Sequence, residues 1–166
     1  MKHIMLWTAA AAFMLGVFET AILSHFHLLP ALPDLILILV VYIALYNGTT
    51  AGVVTGFCSG LIFDFLSLAP LGLHSFMFTV VGFLYGMLYR KYNVQRIVFP
   101  LFLAFSATLL KAGLLFALRF LFGQSIQVYS MTSLSFWFEA VFNTIAAPLF
   151  FVLFGLFPSA FKVQEA

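Results

Sequence analysis

The chain has 166 residues, of which 64% are hydrophobic and 7% charged, with a formal net charge of +2. A soluble domain carries about 25% charged residues, so this composition excludes an ordinary water-facing surface and places the chain in a bilayer. The weak positive charge offers no basic field for nucleic acid, and the single cysteine, Cys58, excludes an internal disulfide and reads as a small packing residue.

Lipid satisfies no free backbone group, so each crossing segment must be a helix of about 20 apolar residues. The sequence predicts an all-α integral membrane protein: one polytopic domain over 1–166, with six transmembrane helices in a compact bundle. The spans fall near 4–24, 34–46, 51–67, 71–89, 97–122 and 134–157, the second and third on the short side. The first follows Lys2 as a signal peptide would. Its length, the lack of an Ala-x-Ala pattern at its end and the further apolar segments favour a retained span. Pro30 and Pro33 precede span 2, Asn47-Gly48-Thr49-Thr50 separates spans 2 and 3, and Pro70 with Gly72 separates spans 3 and 4. Pro100 in span 5 and Pro148 in span 6 predict kinks or breaks, because proline lacks an amide N–H.

Loop charge sets the expected orientation. With both termini cytoplasmic, Lys2, Arg90, Lys91, Arg96 and Lys162 all lie inside, and Arg119 falls near the outer boundary. Tyr89 and Tyr92 at the inner boundary, and Tyr129 and Trp137 at the outer one, suit an aromatic belt.

Ionisable residues inside spans are costly and are candidates for function or for holding helices together. Glu19, Asp64, Lys111 and Glu139 fall at about one depth below the outer boundary, and with Arg119 and Asn143 they form a predicted polar layer. Lys111 and Arg119 read as one face of span 5, and Glu139 and Asn143 as one face of span 6, so Lys111 or Arg119 is expected to neutralise Glu139. The layer is either structural glue, a polar ligand pocket or a proton relay.

Span 3 carries Gly52, Gly56 and Gly60 at four-residue steps, then Asp64. Glycine at that spacing admits a second backbone at close range, either within the chain or in a homodimer. Gly82 and Gly86 repeat the pattern in span 4, as Ala12 and Gly16 do in span 1. Asp34, after Pro33, suits the cap at the start of span 2. Neither an Asp34–Asp64 acid pair nor a metal site at His25, His27 and His74 is favoured: no catalytic signature accompanies the aspartates, and His25 and His27 lack i, i+4 spacing. The histidines read as loop or interface residues. No Ser-His-Asp arrangement, Walker loop or dinucleotide fingerprint is evident, and no cofactor is expected.

Pro33-Asp34-Leu35-Ile36-Leu37 through Tyr42, the glycines of span 3, Gly60-Leu61-Ile62-Phe63-Asp64 and Leu71-Gly72-Leu73-His74 together resemble the MreD family of rod shape-determining proteins. The resemblance covers about 30–90 well. It implies a non-enzymatic component of the bacterial cell-wall elongation (Rod) machinery in the cytoplasmic membrane. The implied partner is MreC, with MreB, RodA and penicillin-binding proteins reached indirectly. By the same resemblance, Asp64, Gly72 and the glycine stripe, with Gly82 and Gly86, serve helix packing or partner contact, and Pro33 and Asp34 serve the start of span 2. The family is also similar in size and span number to the S components of energy-coupling vitamin transporters. That likeness supplies an alternative: a small-molecule-binding protein whose Ala9 to Ala12 and Gly16 meet a coupling subunit.

Overall fold

The computed structural model describes residues 2–22, 31–67, 69–91, 98–122 and 133–162. Every regular element among them is helical: α1 (Lys2–Val17) continuing into a π-helical turn (Phe18–Ile22), α2 (Leu35–Asn47), α3 (Thr49–Leu66), α4 (Leu73–Gly86), α5 (Val98–Phe122), α6 (Leu134–Gly155) and the single turn α7 (Pro158–Phe161).

The centre of the bundle is α2. Its sequence, Leu-Ile-Leu-Ile-Leu-Val-Val-Tyr-Ile-Ala-Leu over 35–45, is apolar on every face, and a helix without a polar side belongs in the middle of the protein. All eleven of those residues are buried, and α1, α3, α4, α5 and α6 pack around them. At 13 residues α2 is about 20 Å long, too short to traverse a bilayer core of about 30 Å by itself.

Close packing of α3 against α4 forms the densest contact in the molecule. Gly52, Gly56 and Gly60 lie directly on the α4 backbone: a Cβ at Gly52 would strike the Gly82 carbonyl, one at Gly56 the Phe78 carbonyl, and one at Gly60 the backbone of Ser75. Gly82 and Gly86 meet Gly52 and Thr49 reciprocally. The glycine stripe is therefore occupied within the chain. Along α1 and the π-helical turn that continues it, Ile4, Thr8, Ala12, Gly16 and Glu19 recur at helical spacing and are buried, whereas Leu6, Trp7, Phe13, Met14, Val17 and Phe18 are exposed. A Cβ at Gly16 would lie 2.7 Å from Leu66 Cδ1, so Gly16, like buried Ala12, serves an internal contact, whereas Ala10 is exposed.

Several boundaries differ from expectation. Four helices are long and apolar enough to cross a membrane, at His3–Ala21, Thr49–Leu66, Val98–Phe120 and Leu134–Gly155, while α2 and α4 are shorter apolar helices. The connection over 47–50 contracts to Gly48, whose φ of 85° lets one residue end α2 and start α3. Pro100 stands in the first described turn of α5, where an amide N–H needs no partner inside the helix. The α6 helix continues through Pro148. Gly72 differs from the stripe glycines: nothing lies within 4 Å of its Cβ position, and its φ of 93° shows that the turn into α4, rather than packing, requires glycine there.

These contacts separate glycines that must stay glycine from one that need not. Gly56→Leu should prevent stable folding, since the obstacle is backbone. Gly113→Ala, with nothing within 4 Å, should be neutral or raise stability by about 0.5–1 kcal/mol. Thermal unfolding of both variants in detergent, followed by size-exclusion chromatography, measures the difference.

Candidate functional site

Two carboxylate-centred networks stand where α2 and α4 begin. The first is built on Lys111, in the middle of α5, which is 9% exposed. Its Nζ donates to Asp34 Oδ2 at 2.6 Å and to Glu139 Oε1 at 2.8 Å. All three residues are buried. One ammonium thus bridges the start of α2 to the middle of α5 and the first turns of α6.

Asp34 has a second task. Its Oδ1 accepts from Leu37 N–H at 2.8 Å, the side-chain cap of a helix whose first amides have no partner inside it. The next amides are taken by a residue from another helix: Glu19 Oε1 accepts from Leu35 N–H at 2.6 Å and from Ile36 N–H at 3.3 Å. Glu19 stands in the π-helical turn, where the widened helix carries its carboxylate to the α2 terminus. Asn143 completes the ring. Its Oδ1 accepts from Asp34 N–H at 2.6 Å, and its Nδ2 donates to Thr108 Oγ1 at 3.0 Å. Thr108 in turn donates to the Ala104 carbonyl at 2.9 Å.

The second network closes the α3–α4 hairpin. Asp64 Oδ2 accepts from Gly72 N–H at 2.9 Å, Ser75 N–H at 3.2 Å and Ser75 Oγ at 2.8 Å. Its Oδ1 accepts from His74 N–H at 2.9 Å and lies 2.9 Å from His74 Nδ1. One carboxylate from the end of α3 thereby caps α4 across the turn. Asp64, His74 and Ser75 are adjacent but do not form a nucleophile relay, because the serine hydroxyl donates to the aspartate and not to the imidazole.

The polar layer expected from the sequence divides accordingly. Glu19, Lys111, Glu139 and Asn143 come together, and Asp34, read as a helix cap, joins them as a full member of the ion-pair cluster. Asp64 belongs to the separate hairpin network. Of the two cations expected to meet Glu139, Lys111 supplies the contact, and Arg119 is exposed near the end of α5, outside the cluster. Asp34 and Asp64 do not share a proton-splitting site, since each is engaged by a different helix start. Pro33 is partly buried immediately before the cap. His25, His27, Tyr92, Arg96 and Tyr129 lie outside the described residues. Thr108 and the His74–Ser75 pair are network members that sequence reading missed. Thr108 lies one helical turn from Lys111, a spacing that could have indicated it.

Removing one member of a buried ion-paired group leaves the others uncompensated and costs about 3–5 kcal/mol. Lys111→Met should therefore destabilise strongly. The double variant Lys111→Met/Glu139→Gln should recover only part of the loss, because Asp34 still carries charge; adding Asp34→Asn should recover more. Thermal melts of the three variants test this, and equal melting temperatures for the single and triple variants would contradict it.

These networks join helices and engage one another's polar atoms, the arrangement of a bundle held in register by buried polar contacts. A search among curated proteins and one among solved structures returned no match. A family model, rod shape-determining protein MreD, matches residues 1–158. With a match over nearly the whole chain and several helices built for a bilayer, this multi-pass membrane protein belongs to the MreD family of rod shape-determining proteins.

Proposed function

We propose that the chain is a non-enzymatic membrane component of the bacterial cell-wall elongation (Rod) complex that contributes to rod shape by binding an MreC partner. The observation that carries this reading is the family match over 1–158, which supports a role in rod shape determination. MreB, RodA and penicillin-binding proteins are linked to the chain indirectly, through that partner. The protein resides in the bacterial cytoplasmic membrane with both termini cytoplasmic, an orientation supported by Lys2, Arg90, Lys91 and Lys162. In this reading six helices traverse the bundle, with α2 sheathed by its neighbours so that its length need not match the lipid.

Residue roles follow from the packing. Gly52, Gly56, Gly60, Gly82 and Gly86 hold the α3–α4 hairpin, Gly72 and Asp64 close its turn, and Pro33 and Asp34 set the start of α2. Because α4 fills the glycine stripe, a homodimer or a partner helix would use the outward apolar faces, among them Phe102, Phe116, Val141 and Ile145. The transporter alternative has weaker support. Ala12 and Gly16 are buried inside the chain, and the carboxylates and ammonium around α2 engage one another.

Depletion of the protein should convert rods to spheres, and the tagged chain should copurify with an MreC-type bitopic protein. Normal rods after depletion would refute the proposal. Stabilisation in detergent by a vitamin or nucleobase would favour the alternative.

A further inference from the structure

At the end of the bundle where α2 stops, the chain binds a piece of itself. Tyr42 is 0% exposed and its ring is surrounded by aromatic groups: Tyr46 at 4.6 Å between centroids, Phe151 edge-on at 5.2 Å, Phe154 at 5.4 Å and Phe161 edge-on at 6.5 Å. Phe161 also packs on Phe154 at 5.3 Å. Asn47, the last residue of α2, donates from Nδ2 to the Phe161 carbonyl at 2.7 Å. The next residue, Lys162, places its Nζ 4.1 Å from the Tyr46 ring centroid, within range of a cation–π contact. Two successive residues are thus held at three points: ring in an aromatic well, carbonyl on an amide, ammonium on a phenol face.

Two observations separate this contact from ordinary core packing. Among the described residues the buried Tyr42 hydroxyl has no hydrogen-bond partner, an unusual cost for a closed core. The occupying segment is a short one, packed on α1 and α6 and joined to α6 through exposed residues. Leu156, Phe157, Pro158 and Ser159 are exposed, Pro158 interrupts helical continuation from α6, and α7 is a single turn. Single-turn elements beside exposed backbone are among the parts of a fold that open locally before the whole.

We infer that Tyr42, Tyr46 and Asn47 form a binding socket for an aromatic–basic peptide segment, filled here by the chain's own Phe161–Lys162 as a releasable latch. The occupant is the C-terminal turn of the same molecule, and the contact neither requires nor uses the ion-pair cluster at the other end of α2.

Cysteine labelling of the full chain tests the inference, with Cys58 replaced by alanine and single cysteines at Ala160, which is buried, or Ser159, which is exposed. With the latch closed, Ala160→Cys should react with a maleimide about tenfold more slowly than Ser159→Cys, and Phe161→Ala should abolish most of that difference. An excess of the pentapeptide Pro-Ser-Ala-Phe-Lys should accelerate labelling at position 160 in the chain with Phe161 intact, while the same peptide with alanine for phenylalanine should not. This arm needs no change at 161, so it stands whether or not Phe161→Ala folds. Equal labelling at 159 and 160 would overturn the docking, and acceleration by neither peptide or by both would overturn the socket.

Discussion

Lys111 is the constraint around which one end of the bundle is built. An ammonium held away from water in low dielectric carries a desolvation cost of several kcal/mol unless carboxylates and hydrogen bonds surround it. Asp34 and Glu139 provide them from two other helices. Because Asp34 also caps α2, the same pairing that neutralises the lysine fixes where the central helix begins. Glu19 then brings α1 to that point through the next free amides. Four helices are thereby referred to one small volume. Between apolar helices in lipid, such contacts discriminate where van der Waals packing alone does not.

A different constraint governs the α3–α4 hairpin, where backbone meets backbone. Glycines at four-residue steps on both helices make a tight fit but a repetitive one. A slip of one turn would set Gly56 opposite Gly82 and leave much of the complementarity in place. Asp64 removes that freedom. Its hydrogen bonds to Gly72, His74 and Ser75 are satisfied at one register only, so the stripe supplies closeness and the carboxylate supplies position.

What the sequence revealed follows from the same distinction. The glycine stripe was legible because its period is local, and the shared level of Glu19, Lys111 and Glu139 because residue count measures distance along a helix. Asp34 was read as a cap alone, since Pro33-Asp34 already satisfies a local motif and nothing nearby in sequence announces a lysine 77 positions away. The choice between Lys111 and Arg119 stayed open because spacing locates a shared helix face but not which of its cations reaches the neighbouring helix. The π-helical turn that aims Glu19 has no short-range signature in Phe-Glu-Thr-Ala-Ile. Pro100 was read as an interruption because two residues of boundary separate a break from a first turn.

The uniform apolarity of α2 gives its ends unusual weight. An amphipathic helix is oriented by its stripe, whereas one buried on every side, in a protein itself surrounded by hydrocarbon, gains nearly the same burial over a range of rotations and shifts along its axis. Side chains of different shape narrow that range, but directional bonds select within it. At one terminus those bonds are made by Asp34, Glu19 and Asn143, and at the other by Asn47 to the Phe161 carbonyl. The two ends are not equivalent. The charged end unites three long helices and the start of α2 through ionic and capping contacts, while the aromatic end closes on a single helical turn. The contacts that the C-terminal turn supplies to α2 therefore lie at the second end, where Tyr42, Tyr46 and Asn47 meet it beside Phe151 and Phe154 of α6.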